Sequence, residues 1–227
     1  MPAVKIPKKS ADTDMTPFVD IAFLILTFFI MATKMKPPAP VEITTPYSVS
    51  SKELEQRDAI LIEMDKDGRV FFTMQTEKAE DREIRKSLIS NLNNARNLGL
   101  TEAEMNAFVK NPTVGVPFTQ LKQYFGTPEE QRKAIAQPGI PVTDTANNEL
   151  YYWVRDAITV FAGRKISYLV KGDNQTKYPV FKGIVDALRK NDQNKYQLIT
   201  TPEAVPTGSD LARQNMTQQG GRNAAEE

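Results

Sequence analysis

The chain contains no cysteine and no histidine. The first absence rules out a disulfide framework and thiol chemistry, though not a periplasmic setting. Together the two leave a zinc site only carboxylates, whereas zinc is normally held by nitrogen and sulfur ligands. A Ser–His–Asp triad has no base here. There is also no G-x-S-x-G elbow, no Walker loop and no dinucleotide fingerprint. The acid pairs Glu102/Glu104 and Glu129/Glu130 fall early in predicted helices, where carboxylates meet the helix dipole and solvent. The sequence thus points away from an enzyme, a metal and a cofactor. Excess charge of one sign is lacking too. Lys and Arg number 29 against 28 Asp and Glu, a net +1, which leaves no electrostatic footprint for nucleic acid.

Long apolar runs are scarce, and one organises the chain. It is Met15 to Thr33, MTPFVDIAFLILTFFIMAT; from Ile21 to Ala32 nothing is charged and only Thr27 is polar. Pro17 to Thr33 makes roughly 25 Å of helix at about 1.5 Å per residue. A spanning helix needs about 20 residues for a hydrocarbon core of about 30 Å. Met15 and Thr16 below, and Lys34, Met35 and Lys36 above, extend the run to a predicted transmembrane helix over 15–36, with the lysines snorkelling. A short run also fits a signal peptide, but no Ala-x-Ala-like cleavage site follows. Lys5, Lys8 and Lys9 place the N-terminus in the cytoplasm. Residues 1–14 then form a cytoplasmic tail, and the part after Pro37 is extracytoplasmic.

Asp20 poses the chemical question, because an acid in a spanning helix costs about 2.5–3.5 kcal/mol. One reading makes Thr16 the N-cap, Pro17 the first helical residue and Asp20 a carboxylate facing the helix N-terminus. The other follows from the wheel. Thr16 at i−4 and Thr27 at i+7 share a face with Asp20, so the polar side chains look toward a protein-lined pore or partner groove. Asp20 is the only side chain of the segment able to take up and release a proton.

Thr16-Pro17-Phe18-Val19-Asp20, followed by about a dozen apolar residues and a proline-rich exit, resembles the signature of the ExbD/TolR family. The resemblance implies a single-span subunit of a proton-driven motor in a bacterial inner membrane, with Asp20 as the proton carrier. It also implies a self-dimer inside an ExbB/TolQ-like, pentameric ring that energises a third, TonB-like protein. Thr27 departs from the family pattern, which is often aliphatic there.

The remainder reads as follows. Pro37, Pro38 and Pro40 open a Pro-rich linker over 37–57. Ala59–Met64 and Arg69–Met74 read as a hairpin across the turn Asp65-Lys66-Asp67-Gly68. That acidic turn lacks the further ligands of a calcium loop. Helices are predicted over Glu80–Asn97 with Gly99 past its end, from Thr101 with a capping box through Glu104, over Thr119–Phe125, from Thr127-Pro128, and over about Ala146–Phe161. Leu150, Trp153, Val154, Ala157, Ile158 and Phe161 form an apolar stripe on the last. Ile166–Val170, Tyr178–Lys190 and Tyr196–Thr200 read as strand, helix, strand. The hairpin and this unit resemble the two halves of the family's periplasmic domain, so about 77–163 reads as a helical insertion. From Pro202 on, the chain lacks apolar periodicity and reads as a disordered tail.

The expected protein is α+β: one membrane helix, then a two-layer periplasmic domain over 58–201. The expected function is that of a proton-motive-force-harvesting subunit energising TonB-dependent transport. The alternatives are a membrane-anchored periplasmic adaptor, or a TolR-like subunit serving envelope integrity or binding the cell wall.

Overall fold

The structure, a computed structural model, describes residues 15–32, 41–48, 58–76, 81–132, 135–144 and 147–203. Two compact units divide at Pro38 and Ala39. The first contains helix α1 (Thr16–Ala32). The second contains a mixed α+β domain. The expected cytoplasmic tail at 1–14 and the tail from 204 on lie outside the described residues, as do 33–40 and 49–57 of the expected helix end and linker.

The domain is organised by β2 (Ala59–Met64) and β3 (Val70–Gln75), an antiparallel pair in register from Ala59↔Gln75 to Met64↔Val70. Gly68 makes the turn at φ 83°. Asp65 is buried, and its carboxylate accepts the N–H groups of Asp67 (3.0 Å) and Arg69 (2.8 Å) and the Nε–H of Arg69 (2.6 Å). The acid is committed to its own turn. Among the described residues no cluster of acids could hold a metal ion.

Strand β5 (Ser167–Gly172) lies on the other edge of β2, in parallel, and β6 (Gln197–Ile199) continues in parallel after α7 (Tyr178–Lys190). The hairpin and the strand–helix–strand unit read from the sequence are both present. A short β4 (Thr113–Val114), not anticipated, extends the β3 edge, giving the order β4-β3-β2-β5-β6.

Between β3 and β5 come α2 (Arg82–Arg96), α3 (Glu102–Lys110), α4 (Phe118–Gly126), α5 (Glu129–Arg132) and α6 (Glu149–Val160). The Thr101–Glu104 capping box forms in both directions. Past the end of α2 the expected Gly99 is left-handed (φ 65°), and Asn97, two positions before it, is left-handed as well (φ 50°). A short polar side chain tolerates that region, so the helix stops earlier. Asn148 donates to the carbonyls of Val142 and Gly183. A Cβ at Gly183 would collide with the Val142 carbonyl, so only glycine lets α7 approach that loop.

The helices and the sheet share one core. Ile60, Ile62, Phe72 and Val170 meet Leu88, Leu92, Phe108, Leu121 and Leu188, all essentially inaccessible. Trp153 is the hub, its ring 5.2 Å from Phe72 and 5.7 Å from Phe108. The predicted α6 stripe is buried except for Ile158, which is half-buried.

The expected linker also contributes ordered structure. Within it, β1 (Tyr47–Ser48) pairs in parallel with β7 (Thr201–Pro202), forming a second, two-stranded sheet. Proline content suggested an extended spacer. The backbone is extended here, but it is seated on the domain, and Pro202 belongs to a strand rather than to a tail.

Two outcomes are expected. Trp153→Ala should cost about 3–5 kcal/mol, as large aromatic-to-alanine changes in cores do, read as a lower urea midpoint at unchanged slope. The second concerns Glu149, a buried side chain on α6 that accepts the Phe118 N–H at 2.7 Å. Burial pushes its carboxyl above the usual range, offset in part by that N–H and by Arg96. The folded state therefore holds this proton to higher pH than the unfolded chain. The associated stability is present below the unfolded value and is lost as pH rises through the raised folded one. Glu149→Gln keeps an acceptor and cannot titrate, so thermal melts across that interval should show a shallower fall.

Candidate functional site

The site expected from the sequence lies on α1. Its composition is almost wholly apolar, and none of its residues is buried. Phe18 is 70 %, Phe28 68 % and Met31 88 % exposed. A helix apolar all round requires cover from lipid or protein. Its 17 residues span about 25 Å at about 1.5 Å each. Among the described residues no helix is long and apolar enough to cross a membrane. The predicted span over 15–36 depended on Lys34, Met35 and Lys36, which lie outside the described residues.

The helix begins one residue earlier than the N-cap reading of Thr16 requires. Thr16 is already helical, and the Met15 carbonyl accepts the Val19 N–H at 3.0 Å. Pro17 therefore sits second, where its missing N–H costs no helical bond. Asp20 comes after the first turn, which holds no acid. The helix-terminus field falls off within that turn, so a capping role explains Asp20 poorly.

Thr16, at i−4, lies beside Asp20. A shallow groove along the helix is lined by Met15, Thr16, Val19, Asp20 and Phe23. Thr27 does not reach it. Seven residues return it to the same face, but at about 1.5 Å per residue it stands about 10 Å along the axis. Its hydroxyl donates to the Leu24 carbonyl at 2.9 Å. The structure thus brings Thr16 and Asp20 to one groove, which neither Pro17 nor Thr27 lines.

Residues 7–203 match the family described as Biopolymer transport protein ExbD/TolR. The chain belongs to the ExbD/TolR family. No curated protein and no solved structure matches it. Membership implies an energy-transducing subunit of biopolymer transport that works with a membrane-embedded motor complex, in a family generally anchored in membranes. The match takes in the helices between β3 and β5 as well as the segments whose motifs resemble the family.

Sequence reasoning missed a second group of residues in this ExbD/TolR chain. Asp173 accepts the N–H groups of Gln175 and Thr44, both at 3.0 Å. These two bonds hold its carboxyl below the usual carboxylate range. An Asp in the turn Lys171-Gly172-Asp173-Asn174 signals a side chain that caps backbone N–H groups. The distant partner, Thr44, carries no such signal.

The Leu24 bond predicts the behaviour of Thr27. Thr27→Val removes a hydroxyl whose donor is already satisfied within its own helix. Transport driven by the proton-motive force, measured in cells lacking the native subunit, should remain near wild type. A marked loss would show that the hydroxyl serves something beyond Leu24.

Proposed function

We propose that this chain is the proton-harvesting subunit of an ExbB–ExbD-type motor in the inner membrane, with Asp20 as the proton carrier. One observation carries the reading. The sole titratable group of α1 lies beyond the first turn of a mostly apolar helix none of whose residues is buried. In this reading residues 15–36 span the membrane, the N-terminus is cytoplasmic and the sheet domain is periplasmic. A dimer of the segment sits inside an ExbB/TolQ-like ring, and the domain engages a TonB-like protein. The helical block over about 77–163 is taken as an insertion that has become part of the core.

The mechanism follows from the cost of charge. An ionised carboxylate is disfavoured against apolar surface and a protonated one far less so. Taking up a proton on one side lets Asp20 face an apolar wall of the ring, and releasing it on the other commits it to a polar one. An Asp at the centre of a spanning helix costs about 2.5–3.5 kcal/mol on insertion scales. A proton crossing the membrane supplies about 2.3 kcal/mol per 100 mV. The driving force and the cost of an acid in the membrane are of the same order, so protonation can set the direction of movement.

The test is replacement of the carrier. Asp20→Asn preserves size and hydrogen bonding but cannot cycle, so the variant should insert and assemble while energised transport is abolished. Asp20→Glu retains the proton site, displaced by a methylene, and should work partially. Near-normal uptake by Asp20→Asn at equal protein level would remove the motor reading and leave the anchored adaptor.

A further inference from the structure

The helices between β3 and β5 bring two arginines onto one tyrosine. Arg96 ends α2, and its guanidinium carbon lies 3.3 Å from the centre of the Tyr152 ring and 5.7 Å from that of Phe118. Arg155, a turn after Tyr152 on α6, lies 5.3 Å from the same ring centre. The rings are themselves held in place. Tyr152 meets Tyr151 edge-on at 4.9 Å and Phe118 at 6.3 Å, and Phe118 packs 6.0 Å from Trp153, the hub of the core.

Two like charges on one ring repel each other, so the arrangement is relieved by negative charge placed near both. The chain supplies little of it. Asp156 accepts only the Nε–H of Arg155, at 2.7 Å. Glu149 acts on Arg96 through space, but its carboxylate is buried and accepts the Phe118 N–H. Among the described residues Arg96 forms no ion pair and donates no hydrogen bond, and the Nη groups of Arg155 have no partner. Stacking uses the face of a guanidinium, whereas its five N–H donors lie in its plane. Both forks therefore keep donors for a ligand. They are also accessible: Arg96 is exposed, and the Arg155 side chain is 39 % exposed.

A guanidinium stacked on a ring has already given up much of its rotamer freedom, so binding costs it less. Its best-matched partner is a planar carboxylate, which accepts two parallel N–H bonds. The aromatic surround selects the source of that carboxylate. Lipid headgroups are recognised by clusters of about 4–8 basic side chains, whereas Tyr and Arg set close together are what protein interfaces use at their centres. We propose that Arg96, Tyr152 and Arg155 form a docking surface for an acidic segment of a partner protein. Neighbouring carboxylates of that segment take the two guanidinium groups, and their apolar stems lie along Tyr151 and Phe118, both half-buried. Every residue of the surface comes from α2, α4 or α6, so the proposal does not rest on Asp20.

The test uses the full-length protein in phosphatidylcholine nanodiscs and a fluorescein-labelled hexaglutamate peptide, followed by anisotropy at low salt. Binding should saturate and weaken as salt is added. Arg96→Gln and Arg155→Gln should each weaken it about tenfold, the loss of one charge-assisted contact. Arg96→Lys keeps the charge without the fork and should give an intermediate affinity; it carries the test if the glutamine variant folds poorly. A hexaglutamine peptide should not bind. No saturable binding, or binding undiminished in the variant carrying both glutamines, would overturn the proposal. Arg96-dependent attachment of the nanodiscs to phosphatidylglycerol vesicles, with none to the peptide, would overturn it as well and make the ligand a lipid headgroup. The readout involves no proton transport, so its failure is separate from that of the Asp20 reading.

Discussion

The parallel pairing of β2 with β5 is the constraint on which the rest of the domain depends. Ala59 faces Ser167 and Met64 faces Gly172, so both edges of β2 are occupied, one by a hairpin partner and the other by a strand running the same way. A hairpin partner needs only a turn, which Asp65 and Gly68 supply. A parallel partner cannot be reached by a turn, so the intervening chain must cross back over the sheet. The residues between β3 and β5 make that crossing as five helices. Having been brought over one face, they supply most of the core: Leu88 and Leu92 from α2, Phe108 from α3, Leu121 from α4 and Trp153 from α6. An insertion read as an addition to a finished domain is physically the other half of its interior.

What could be read from the sequence follows from where the information lies. The β2–β3 hairpin, the capping box at Thr101 and the stripe on α6 are local patterns, each encoded within about a dozen residues, and the structure has them. Gly99 is left-handed as its type suggests, but Asn97 is left-handed too and caps α2 first, because asparagine also tolerates that region. Strand β4 has two residues, too few for alternation to register. Residues 41–48 are harder still. The linker's prolines promise an extended chain, as 41–48 is, but the partners at Asp173 and Thr201 are more than a hundred residues away.

The candidate site was legible for the opposite reason. One acid in an apolar run is an anomaly that needs no tertiary information to notice. Finer detail needed coordinates. The wheel groups Thr27 with Asp20, yet its hydroxyl turns to Leu24. Thr16 suits an N-cap by type, yet the backbone makes it helical. Side-chain identity proposes such roles, and the hydrogen-bond ladder of the helix decides among them.

The β2–β5 pairing also bears on biogenesis. Lys171 and Glu63, neighbours across that pair, are 108 residues apart in the chain. A chain made N-terminus first at about 5–20 residues per second delivers β2 and β3 roughly 5–20 s before β5. Through that interval the hairpin presents an unpaired, strongly apolar edge, the kind of surface that recruits other strands. The waiting time is set by the topology, since any parallel crossover of this length imposes it. A nascent chain of this protein thus depends on keeping that edge apart from its neighbours until Ser167–Gly172 arrives.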